Sequence, residues 1–101
     1  MTKIPPTAAR REAAEAIAIQ ALGYLAGDPE RLGRFLALSG LEGTDIRAAA
    51  AQPGFLAGVL DHVAGDEALL TAFAGEAGIG PAEVARAHAE LTGGNWQRDL
   101  P

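Results

Sequence analysis

Two stretches of this chain, 38 residues apart, carry the same helix boundaries. An Ala-Gly-Asp triplet opens each stretch, a phenylalanine lies in its middle, and a glycine closes it. The matching positions are Asp28 with Asp66, Phe35 with Phe73 and Gly40 with Gly78. An aspartate in front of an apolar run caps a helix, and a glycine behind the run ends it. The repetition predicts two similar three-helix units, about 14–51 and 52–89, although unrelated helix-turn-helix segments can share such boundaries.

The remaining caps and prolines extend this pattern to about six short helices. The predicted helices span roughly 8–26, 28–39, 44–52, 53–65, 66–78 and 81–93. Apolar residues recur every three or four positions, as from Ala14 to Leu25, which is the period of a helix buried along one face. Alanine is abundant and aromatic residues make up only 5% of the chain, so we expect a thin core. The predicted fold class is all-α, one compact bundle over residues 1–101 with flexible ends at 1–6 and 93–101.

The charge and composition exclude several classes of protein. The formal net charge is −5, and the only lysine is Lys3. Nucleic-acid binders normally present a basic surface to the phosphates, so we do not expect a nucleic-acid partner. The chain has no cysteine, which excludes disulfides and zinc-thiolate sites. No apolar run approaches the roughly 18 residues of a membrane span, and Glu12 and Glu15 interrupt the apolar stretch that a signal peptide would need. We therefore expect a cytoplasmic protein that does not bind a membrane.

The sharpest functional signal is the helix-turn-helix spacing of residues 72–87, which read AFAGEAGIGPAEVARA. DNA-reading motifs place a small residue, a glycine and an apolar residue at the separations of Ala74, Gly78 and Val84, and one unit earlier of Leu36, Gly40 and Ile46. The helices that would enter the major groove offer few cations. Their charged or titratable residues are Asp45 and Arg47 in the first copy, and Glu83, Arg86, His88 and Glu90 in the second. A glycine cap before an acidic or proline-led helix explains the same spacing, so we interpret both turns as structural and keep DNA binding as the alternative.

None of the polar residues forms a catalytic or metal-binding motif. Asp28 and Asp66 are predicted to be helix N-caps, worth about 1 kcal/mol each. His62 lies four residues before Asp66, but Gly65 interrupts the helix between them and two ligands are too few for a metal site, so we expect a solvated or capping histidine. Ser39, the only serine, has no histidine at a related position. The sequence thus predicts no catalytic residue, no metal and no cofactor, and we expect that the protein is not an enzyme.

Most of the chain resembles one family of small proteins. The segments ALGYLAGDPERLGRFLALSGL and QPGFLAGVLDHVAGDEALLTAFA are similar to a family of roughly hundred-residue alphaproteobacterial proteins, known only as a domain of unknown function. The resemblance covers about residues 12–91 and depends on the paired AGD caps and on the PGFL start of the fourth helix. It implies a small cytoplasmic bacterial protein, and it implies no activity, catalytic residue or ligand.

Four residues are predicted to contribute to an interaction surface, namely Ile19, Arg31, Arg34 and Trp96. Ile19 lies outside the apolar stripe of the first helix, and the two arginines are expected to face outward from the second. Trp96 follows Gly93-Gly94 in a tail without helical period, where it packs on the core or anchors a partner. These features favour a non-enzymatic protein-protein interaction module, with a DNA-binding or transcription-associated protein as the alternative. The partner is expected to be another protein or a second copy; a small-ligand pocket between helices is a third interpretation, because apolar pockets leave no motif.

Overall fold

Six α-helices make up most of this structure, which is a computed structural model. It describes the backbone of residues 6–41, 46–52 and 54–97 and the side chains of residues 9–41, 47–52 and 54–92. Within these ranges the helices are α1 (Pro6–Ala26), α2 (Pro29–Ser39), α3 (Ile46–Ala50), α4 (Phe55–Ala64), α5 (Glu67–Ala77) and α6 (Pro81–Gln97), with no strand. They pack as one all-α bundle, which confirms the fold class predicted from the sequence.

The two aspartates predicted as caps begin α2 and α5. The Asp28 carboxylate accepts a hydrogen bond from the backbone N–H of Glu30 at 2.8 Å, and the Asp66 carboxylate accepts one from Leu69 at 3.1 Å. The first turn of a helix leaves such N–H groups without a partner inside the helix. Both segments therefore begin a helix for the same local reason.

Both of these helices also end in the same way. Each is 11 residues long and stops at a glycine in the left-handed conformation, Gly40 with φ 77° and Gly78 with φ 74°. The next residue, Leu41 or Ile79, donates its N–H to the carbonyl five residues earlier, at 2.8 Å and 3.0 Å respectively. This bond satisfies a carbonyl that the helix end leaves free, and the positive φ favours glycine.

The third helices of the two predicted units differ in length. α3 has 5 residues, whereas α6 has 17. The predicted start of α3 at residues 44–45 lies outside the described residues. α6 continues through Gly93 and Gly94 to Gln97, so the prediction that the helix fades at this pair is wrong. The flexibility predicted for residues 93–101 stays a prediction. Glycine lowers helix propensity by about 1 kcal/mol, and packing of α6 against α1 and α4 supplies the compensating contacts.

The core lies where α1, α4 and α6 meet, and Phe35 of α2 and Phe73 of α5 pack into it from the sides. The buried residues of the three central helices are Ala14, Ala18, Ala21 and Leu25 in α1, Phe55, Val59, Leu60 and Val63 in α4, and Val84, Ala87 and Leu91 in α6. Every buried residue within the described side chains is apolar. Three of the four buried residues of α1 are alanines, and such small side chains let neighbouring helices pack closely.

Candidate functional site

The first turns of α2 and α5 border one cleft of about 540 Å³, which we call the cap cleft. Its lining residues are Leu25, Asp28, Glu30, Arg31, Arg34, His62, Asp66, Ala68 and Leu69. Both cap aspartates thus lie at one site, together with the histidine that the sequence places one turn before the second cap. The sequence predicts the two caps separately and gives no sign of this convergence, because the convergence depends on how the helices pack.

The Arg31 side chain, which lines the cap cleft, is held by contacts with residues of the same chain. Its Nε and Nη2 groups donate to the Tyr24 carbonyl oxygen at 3.2 Å and 3.0 Å, and its guanidinium carbon lies 4.0 Å from the centroid of the Tyr24 ring. Its Nη1 is 3.5 Å from Oδ2 of Asp28. These contacts tie the end of α1 to the start of α2. The prediction that Arg31 faces outward is corrected, and the overlooked signal is the aromatic ring seven residues earlier.

The other predicted interaction residues have different surroundings. Arg34 is exposed at the rim of the cap cleft, and Ile19 of α1 is 58% exposed. Leu38, which the sequence analysis did not single out, is 71% exposed near the end of α2. The backbone of Trp96 lies in α6, but its side chain lies outside the described residues, so its predicted role stays a prediction.

His62 lies half-buried against the aromatic core rather than in solvent. Its ring meets the Phe35 ring edge to face, with the centroids 5.2 Å apart and the planes at 67°. Its Nε2 atom is buried and has no hydrogen-bond partner among the described residues. Burial lowers the pKa of this imidazole below its ordinary value; the Asp66 carboxylate opposes the effect, Arg34 adds to it, and Asp61 opposes it. The expectation of a solvated or capping histidine is therefore corrected.

This environment predicts that stability falls when the protein is acidified. The pKa of His62 is lower in the folded chain than in the unfolded chain, where it is about 6.5. As the pH falls below that value, the unfolded state binds the proton more readily than the folded state and is stabilised relative to it. The wild type should therefore lose thermal stability relative to His62→Gln as the pH is lowered from 7.5 through the folded-state pKa. Thermal unfolding of both proteins across this range measures the effect. His88→Gln is the control, because it leaves the contact between His62 and Phe35 in place, and identical pH profiles for wild type and His62→Gln would contradict the prediction.

A second depression, between α2, α3 and α4, has a volume of about 460 Å³, and we call it the apolar groove. Its lining residues are Phe35, Ser39, Leu41, Ala48, Ala49, Gln52, Gly54, Phe55 and Gly58. Two aromatic rings, Phe35 and Phe55, meet edge to face there with centroids 6.1 Å apart. The Ser39 hydroxyl donates a hydrogen bond to the Phe35 carbonyl oxygen at 2.6 Å, four residues earlier in the same helix. The exposed Leu38 lies in the same turn of α2 as Ser39.

The helix-turn-helix spacing of residues 72–87 corresponds to α5, the turn at Gly78 and α6. α6 packs against α1, α4 and α5 and buries one face in the core. Its exposed positions from 81 to 92 include a single cation, Arg86, and His88 Nε2 lies 3.2 Å from Oδ1 of Asp61. Within these described side chains, α6 therefore presents no ridge of arginines to a phosphate backbone. In the first copy α3 has only 5 residues, and Asp45 lies outside the described residues.

Two other kinds of site, a metal site and a membrane span, are absent from the described residues. In the part of the chain that the structure describes, no three or more His, Asp or Glu residues group as metal ligands would. None of the helices there combines the length and the apolar character that crossing a bilayer requires.

Comparison with known proteins places the chain in a family. No curated protein and no solved structure matches it. One family model does match, over residues 11–94, and its description is a protein of unknown function, DUF3572. The matched region includes all the residues that line the apolar groove and the cap cleft. The chain therefore belongs to the DUF3572 family of proteins of unknown function.

Proposed function

We propose that this protein is a non-enzymatic interaction module that receives an apolar segment of a partner protein in the apolar groove. The observation that carries the proposal is the apolar lining of the groove, in which Phe35 and Phe55 are buried and Leu41 and Ala48 are accessible. Leu38, next in sequence to the lining residue Ser39, is 71% exposed. Covering apolar surface stabilises a complex by about 25 cal/mol per Å². Contiguous apolar patches on small proteins commonly mark interaction sites for this reason.

The dimensions and the charge favour a particular kind of partner segment. A volume of about 460 Å³ accommodates a few large apolar side chains rather than a whole helix. Leu38, in the same turn of α2 as the lining residue Ser39, would then pack against the same segment. Because the chain carries a net charge of −5, basic residues on the partner would speed the encounter.

The lining also favours binding over catalysis. None of the nine residues that line the apolar groove has a titratable side chain. General acid–base catalysis requires such a group, and nucleophilic catalysis requires an activated hydroxyl, thiol or amine. The hydroxyl of Ser39 donates to a backbone carbonyl of its own helix and has no base beside it within the groove.

Gly58 offers a variant that blocks the groove without disturbing the core. It is an exposed residue of α4 that lines the groove, and a Cβ added to it meets no atom within 4 Å. Gly58→Leu therefore adds a branched side chain at the groove, and it also raises helix propensity. Gly75 of α5 has equally open surroundings and does not line the groove, so Gly75→Leu is the matched control.

The experiment compares what the immobilised proteins capture from native lysate with and without nuclease digestion. We expect the wild type and Gly75→Leu to retain the same protein in stoichiometric amount, and Gly58→Leu to bind it about tenfold more weakly or worse. Titration of the recovered partner into labelled wild type should shift the amide resonances of α2, α3 and α4. Equal binding by Gly58→Leu and Gly75→Leu would overturn the proposal. If the captured protein is lost when the lysate is treated with nuclease, the proposal of a protein partner is overturned in favour of nucleic-acid binding.

A further inference from the structure

The cap cleft and the apolar groove are linked by one pair of rings in contact. His62 lines the cap cleft, and Phe35 lines the apolar groove. Their ring centroids lie 5.2 Å apart, and the Phe35 ring in turn meets the ring of Phe55 at 6.1 Å. Because Phe35 is 1% exposed, its position depends on the side chains packed around it, and the imidazole is one of these. A displacement of the His62 ring therefore reaches the wall of the apolar groove through direct contacts.

We propose that His62 makes binding in the apolar groove depend on pH, so that the partner is released when the imidazole gains a proton and turns into the cap cleft. The neutral ring, packed against Phe35, is the form that binds. The charged ring leaves a gap beside Phe35, which then no longer holds one position in the groove wall, and a less ordered site binds more weakly. This inference rests on the proposed function, because the apolar groove is the site that it regulates.

The surroundings of Nε2 decide which form of the ring packs against Phe35. A neutral imidazole has one N–H group and a charged imidazole has two, so the charged ring always carries an N–H at Nε2. In His62 this atom is buried and has no hydrogen-bond partner among the described residues. A buried N–H without an acceptor is unfavourable, and more so on a charged ring. The charged ring therefore gains hydrogen bonds by turning towards water, and the same burial lowers the pKa of His62.

The cap cleft offers the charged ring a favourable place. Its charged lining residues are Asp28, Glu30, Arg31, Arg34 and Asp66, which together carry a charge of −1, and its apolar lining residues from α1 and α5 are Leu25, Ala68 and Leu69. Asp66 favours the protonated ring, as does Asp61 of α4, whereas Arg34 opposes it. From α6, the Nε2 atom of His88 lies 3.2 Å from Oδ1 of Asp61. The carboxylates thus outweigh the arginines around a proton that enters the cleft.

The coupling of one proton limits the size of the effect. A bound partner holds the ring against Phe35, so partner and proton oppose each other, and the Kd rises as the pH falls through the pKa of the free protein. That pKa lies below the ordinary value of 6.5. Lowering the pH from 7.5 to 5.5 therefore raises the Kd by at most about tenfold.

Nuclear magnetic resonance of the wild type without any partner tests the link between the two rings. As the pH is lowered, the amide resonances of the groove residues Leu41, Ala48 and Gly58 should shift with the same midpoint as the ring protons of His62. In His62→Gln these amides should not respond, and in His88→Gln they should titrate as in the wild type. Groove amides of the wild type that do not follow the His62 ring overturn the inference.

Binding of Nile red, an uncharged apolar dye, measures the effect on the groove itself. The part of the binding that Gly58→Leu removes and Gly75→Leu retains belongs to the apolar groove. The Kd of this part should rise several-fold on acidification in the wild type and in His88→Gln, and should stay constant in His62→Gln. A constant Kd in the wild type, or the same pH dependence in His62→Gln, overturns this inference and leaves the proposed function intact. If Gly58→Leu removes no dye binding, the proposed function is overturned and this inference with it.

Discussion

Phe35→Ala is expected to lower the free energy of unfolding by about 3–5 kcal/mol. The Phe35 side chain is 1% exposed and packs against the rings of Phe55 and His62. Domains of this size are stable by only about 5–15 kcal/mol, so the variant loses a large part of its stability. The loss should be large because removal of this buried ring leaves a cavity that the surrounding residues fill only in part. Urea denaturation followed by circular dichroism measures it.

Leu38→Ala is the matched control for this experiment. Leu38 lies in the same helix and is also a large apolar residue, but it is 71% exposed. Its removal should change the free energy of unfolding by no more than about 0.5 kcal/mol. If Phe35→Ala costs as little as Leu38→Ala, then Phe35 does not contribute to the core in the way that its burial indicates.

The sequence was sufficient for features that a few neighbouring residues decide. The N-caps at Asp28 and Asp66 and the C-caps at Gly40 and Gly78 depend on hydrogen bonds that span no more than five residues. Their chemistry is therefore readable without knowing the tertiary structure. The all-α class follows from the same boundaries together with the helical spacing of apolar residues.

Contacts that depend on how the helices pack could not be predicted from the local sequence. Phe35 and His62 are 27 residues apart, and their contact requires the particular orientation of α2 against α4. The stacking of Arg31 on Tyr24 likewise depends on the angle at which α2 leaves α1. Local charge patterns gave no signal for either contact, so a histidine and an arginine were expected in solvent.

The apolar groove was missed for a different reason. Phe35 and Phe55 belong to apolar stripes, and periodicity assigns every member of such a stripe to the core. It does not tell which buried stripe residues border a gap between three helices, since that depends on the length of α3 and on where α4 begins. The extension of α6 past Gly93 and Gly94 shows the same limit, because contacts with other helices outweigh local propensity.

Ala18→Leu is expected to destabilise the fold by about 1–3 kcal/mol, even though it adds apolar surface and suits a helix. Ala18 is fully buried in α1, which packs against α4 and α6, so a larger side chain must push the helices apart. Ala16→Leu makes the same chemical change at an exposed position of the same helix and should be nearly neutral. Because helix propensity and hydrophobicity change equally in both variants, the difference between their free energies of unfolding isolates the packing term. Equal stability of the two variants would mean that the surroundings of Ala18 accommodate a larger side chain without strain. The alanines of α1 would then not determine how closely the helices pack.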